Sequence, residues 1–165
     1  MLRHIGKSFV LATMALGAAV ASPLAVNAGA GGGPRPVEIA RGDFVTLAGG
    51  EGLGYSVTGN AIVFRLGDRT VVRAHVRGLA PDTTYPAHVH NAPCSAVPPG
   101  GGHYQHVVGG PVDADNEIWP TIETGPSGVG TGFATHAHRA RSDAQSIIIH
   151  YPVDTSIRLA CADLT

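Results

Sequence analysis

The chain is poor in lysine, in aromatic residues and in long apolar runs. Lys7 is its only lysine, and Phe, Trp and Tyr together make up 5% of 165 residues. With no basic stripe along the chain, a nucleic-acid backbone has nothing to bind, and that class of partner is excluded. The longest uncharged apolar run, Phe9 to Ala21, has 13 residues, whereas a membrane-spanning helix needs roughly 20. No stretch keeps a 3.6-residue apolar period over 11 residues, which argues against a helical bundle. What the chain does have is 23 Gly and 12 Pro, the punctuation of many turns.

The first 28 residues read as an address rather than as fold. Arg3 and Lys7 precede the apolar run, and small-residue exits follow at Ala19-Val20-Ala21 and Val26-Asn27-Ala28. That is the grammar of a signal peptide, so secretion or delivery to a periplasm is expected, with no membrane span in the mature chain. Residues 29–36, GAGGGPRP, form a flexible leader, and 37–165 form one domain. Without residues 1–28 the chain carries nine Arg against twelve Asp and Glu, a formal charge of −3. The two cysteines, Cys94 and Cys161, are most simply one disulfide in an exported protein.

Short β-candidates recur between turn signals. Phe44–Leu47, Ala61–Leu66, Thr70–Arg77, Thr84–His90, Gly132–His138, Ser146–Tyr151 and Ile157–Asp163 read as strands, with Val37–Ile39 and Glu117–Ile122 as weaker ones. In 70–77 the alternation is clean, with Val72, Ala74 and Val76 opposite Arg73, His75 and Arg77. Seven to nine such strands imply an antiparallel sandwich or barrel. Residues 91–116 form a long loop, a feature that usually carries function.

The histidines carry the chemistry. His88 and His90 lie at i and i+2, on one face of a strand, with Ala87 and Val89 turned to the core. Such a pair can meet on Cu, Zn, Fe or Ni, yet by itself it reads more readily as two surface histidines. His103 and His106 come from the loop, and His150 ends the apolar run SIIIH, where a core-edge histidine is the plain reading. His136 and His138 form a second such pair, followed by Arg139 and Arg141, and read as a solvated face. His75 reads as a surface residue.

Taken in order, His88-Val89-His90, Cys94, Gly102-His103-Tyr104, Ile148-Ile149-His150 and Arg158-Leu159-Ala160-Cys161 resemble the copper/zinc superoxide dismutases. The resemblance covers residues 55–165. It implies a Greek-key β-barrel or flattened sandwich of about eight strands. His88, His90 and His150 match copper ligands, and His103 matches the histidine shared between copper and zinc. Arg158 matches the arginine that guides the superoxide anion, and Cys94 and Cys161 match the family's disulfide.

Two departures qualify the match. Only His106 follows the shared histidine closely, with Glu117 a loose counterpart of the zinc-binding aspartate. Seven residues, 151–157, stand where the family has a long charged loop. Both departures look like the copper-only branch, which carries no zinc. There the free ring nitrogen of His103 needs a hydrogen-bond partner, for which Glu117, Asp113 and Asp115 are candidates in that order. The implied activity is conversion of superoxide to O2 and H2O2 by Cu(II)/Cu(I) cycling. A copper-holding protein of the same fold without efficient dismutation is the alternative, and a structural β-sandwich of chordin type a more distant one.

Overall fold

A computed structural model describes Gly33 and residues 35–165. The expected signal peptide and most of the leader lie outside the described residues.

Nine strands and one short helix are present among them: β1 Glu38–Thr46, α1 Ala48–Gly52, β2 Thr58–Leu66, β3 Arg69–Arg77, β4 Thr84–Tyr85, β5 Ala87–His90, β6 Ile122–Thr124, β7 Gly130–His136, β8 Ser146–His150 and β9 Arg158–Asp163. The strand order is β4-β6-β7-β3-β2-β1-β9-β8-β5, with every neighbouring pair antiparallel. The protein is thus an all-β barrel-like sheet, as the pattern of short strands requires. Among the described residues no helix is long and apolar enough to cross a membrane.

Local chemistry sets where strands run and stop. The expected strands at Val37–Ile39 and Phe44–Leu47 are one strand, β1, which pairs with β2 in its first part and with β9 in its last. Gly42 sits near this change of partner, where a Cβ would lie 1.6 Å from the carbonyl oxygen of Asp163; only glycine lets the two backbones approach so closely. The expected strand Thr84–His90 is divided at Pro86, which has no N–H to give to a ladder. β4 therefore pairs with β6 and β5 with β8. The two ends of the sheet order are thus adjacent in sequence, and the sheet is nearly closed, its end strands linked through Pro86.

The interior is filled by small and branched side chains, as the scarcity of aromatics demands. Ala40, Phe44, Ala61, Val63, Val72, Ala74, Val76, Ala87, Val89, Ile147, Ile149, Leu159 and Ala160 are all buried in one core. On β5 and β8 the alternate residues His88, His90, Ser146, Ile148 and His150 face the other way. The loop 91–121 covers that second face. Its ties include Ser146 Oγ donating to the Ala92 carbonyl at 2.7 Å and the Cys94 N–H donating to Asp163 Oδ1 at 2.7 Å. The Cys94–Cys161 disulfide fastens the loop to β9, with Cα atoms 5.8 Å apart.

Candidate metal centre

His88, His90 and His150 reach the covered face from β5 and β8, and His103 reaches it from the loop. A short β-bridge between His90 and His103, with the Tyr104 N–H donated to the Val89 carbonyl at 2.8 Å, lays the loop residue alongside β5. Each of the four rings offers one nitrogen, and these four atoms lie within 4.8 Å of one another. The Nε2 atoms of His90 and His150 are 3.3 Å apart.

Hydrogen bonds set which nitrogens carry protons. His150 Nδ1 donates to the Thr155 carbonyl at 2.6 Å, and His103 Nδ1 donates to Glu117 Oε2 at 2.6 Å. In a neutral ring with its proton on Nδ1, Nε2 keeps its lone pair. Burial, with the neighbouring His103 and His150 rings next, pushes His88 down to about 3; burial and the same neighbours push His90 down to about 2. His150 is pushed down to about 4, chiefly by burial, although its bond to Thr155 works the other way. These three imidazoles are therefore neutral at ordinary pH, the state in which a ring nitrogen can ligate.

Among the described residues, Glu117 is the one buried carboxylate beside the cluster, 1% exposed. Burial alone would raise its pKa. Hydrogen bonds from Trp119, Gln105 and His103 outweigh burial and hold it below the usual carboxylate range. Gln105 Nε2 donates to Oε1 at 3.1 Å, while Trp119 Nε1 and His103 share Oε2. Of the three acids considered as partners of His103, Glu117 occupies the position. Asp113 instead caps the turn at Asn116, and the Asp115 carbonyl accepts from His136.

Arg158 pairs with His150 across β8 and β9, and its guanidinium donates to the carbonyls of Pro99 and Gly101 in the disulfide-tied loop. Its charge lowers the pKa of both His90 and His150.

No protein-family model matches the chain, and no curated protein matches it. The site must therefore be judged by its donor set. Buried Nδ1 atoms of His88 and His90 have no hydrogen-bond partner, which is costly for a polar atom without a ligand. His90 Nε2 and His150 Nε2 also face each other at 3.3 Å, close enough to share one ion. The four histidines could hold a metal ion, and an all-imidazole set suits Cu, Zn, Fe or Ni.

His106 stands apart from this group. Its ring stacks on His138 with centroids 3.8 Å and planes 5° apart, and His136 lies 6.0 Å away. Stacked rings direct their lone pairs in parallel planes, so His106 and His138 do not converge on one ion in this arrangement. The reading of His136 as part of a solvated face is corrected: it is 4% exposed, with Nε2 donating to the Asp115 carbonyl at 2.8 Å. His138 is exposed. Arg139 is bound to Glu38 and to the carbonyls of Arg65 and Gly67, and Arg141 to Asp143 and the carbonyls of Gln105 and His106. Both are structural ties. Trp119, which sequence reasoning did not single out, is the added member of the site, and its place two residues after Glu117 was the available signal.

Proposed function

We propose that the protein is an exported copper-dependent superoxide dismutase that works without zinc. The observation that carries this reading is the convergence of four imidazole nitrogens beside a permanently charged arginine. When bound, copper supplies one-electron chemistry between two oxidation states, which zinc cannot. His88, His90, His103 and His150 would hold it, imidazole donors suiting both states.

Arg158 offers a local positive charge to an incoming anion on a chain whose mature net charge of −3 gives no general attraction. Its guanidinium is oriented by two backbone carbonyls rather than by a carboxylate, so its charge is not neutralised. His103 is the one ligand with a buried carboxylate on its far nitrogen. Glu117 keeps that nitrogen protonated, which leaves no lone pair there for a second ion and supports a copper-only site. It also holds a proton at a defined atom, His103 Nδ1. The disulfide and the signal-like leader both suit a secreted or periplasmic location.

The test is metal content and superoxide removal by the purified protein, with His88→Ala as control. One copper per chain, no zinc, and fast superoxide loss that disappears in the variant are expected. Copper without activity would leave a copper-holding protein of the same fold. Stoichiometric zinc would overturn the copper-only site.

A further inference from the structure

Trp119 is the chain's only tryptophan. Its indole meets the ring of His88 edge-on, with centroids 5.7 Å apart and planes at 66°. Its N–H is donated to Oε2 of Glu117 at 3.0 Å, the same oxygen that accepts the His103 ring N–H at 2.6 Å. One half-buried side chain thus touches one candidate ligand directly and a second through a single oxygen atom.

An oxygen that accepts two hydrogen bonds divides its negative charge between them. The bond from Trp119 therefore moderates the pull of Glu117 on the His103 proton. The partner of a ligating imidazole governs how strongly that ring donates to its metal. We infer that Trp119 is a positioning residue of the metal centre, which sets the donor strength of His103 through the shared oxygen of Glu117 while its ring fixes the plane of His88. The geometry stands by itself; its consequence for copper rests on the function proposed above. Without the indole N–H, Glu117 draws harder on the His103 proton. The ring gains imidazolate character and favours Cu(II) over Cu(I).

The experiment removes the N–H and keeps the shape. Biosynthetic replacement of tryptophan by its sulfur analogue benzothienylalanine alters position 119 alone, and Trp119→Phe repeats the loss genetically with a ring still against His88. In the metal-free protein, nitrogen-edited NMR should show the His103 ring proton moving downfield in both. In the copper-loaded protein, the preference for Cu(II) over Cu(I) should rise about tenfold, read as a lower midpoint potential. An unmoved ring proton, or an unchanged potential with copper bound, overturns the assignment. A moved ring proton in a protein that takes up no copper upholds the Trp119–Glu117–His103 link and removes the copper reading instead.

Discussion

Among single residues, Glu117 has the least freedom to change. Three donors converge on its buried carboxylate from His103, Gln105 and Trp119. Glu117→Gln keeps the size but brings an NH2 group against at least one of those donors. The expected result is a copper affinity about 10–100-fold weaker, measured by competition with a chelator, since the partner of a ligating histidine matters on that scale. An affinity equal to that of the parent would remove the role given to Glu117. Arg158→Ala is different in kind, because the side chain is not in the imidazole set. Copper should stay bound while superoxide turnover slows about tenfold and loses salt sensitivity, as expected when a steering charge is removed. Equal turnover would dismiss Arg158 as a guide. The histidines that meet were legible only in combination, because a lone pair such as His88 and His90 also describes an ordinary strand edge. Glu117 was reached only as a loose match, since its value depends on a loop path that no local spacing encodes.

At the level of elements, the loop 91–121 and the disulfide act together. Cys94–Cys161 closes a separation of 67 residues, for which loss of the cross-link costs about 4 kcal/mol in the chain-entropy model. Cys94→Ser with Cys161→Ser should lower unfolding stability by about that amount and weaken metal retention, because the loop that carries His103 is then no longer fastened to β9. A double variant as stable as the parent would show that the hydrogen bonds of the loop suffice. Strand β7 explains where pattern reading failed. Its inward positions Gly130 and Gly132 have no side chains, and its one large apolar residue, Phe133, faces outward under the guanidinium of Arg73. Alternation therefore hid which face was interior. His136 continues the inward row, beside buried Thr70. His136→Ala should cost about 1–3 kcal/mol by leaving the Asp115 carbonyl without its donor. His138→Ala, on the exposed side, should stay within about 0.5 kcal/mol. Equal effects of the two would refute this division. Strands with full side-chain alternation, such as β3, were readable directly. The break at Pro86 and the fusion that makes β1 were not, because both follow from which partner each backbone meets.

For the whole molecule, the imidazole cluster ties stability to pH. His88, His90 and His150 are held at about 3, 2 and 4, below the ordinary 6.5. Between those values and 6.5 the unfolded chain binds more protons than the folded one. Stability of the metal-free protein is thus complete above about 6.5 and declines as pH falls, with all three groups contributing until His150 begins to titrate near 4. Denaturant midpoints followed downward from neutral pH should fall accordingly, and Ile substitutions at His90 should flatten the fall. A profile unchanged across that window would contradict the burial assigned to these rings.

The link at Pro86 gives the sheet the character of a hoop whose two end strands are joined by the chain rather than by pairing. One end is fastened weakly, since β4 grips β6 through only Thr84 and Tyr85. The other is fastened by the four residue pairs of β5 with β8, and it is on these two strands that three of the four imidazoles stand. An ion held there would act as a clasp. Loading it would lock the hoop at its join, and withdrawing it would leave the join as the first place for the barrel to unroll. Faster amide exchange of β5 and β8 in chelator-treated protein, with β2 and β3 unaffected, is the mark such a clasp would leave.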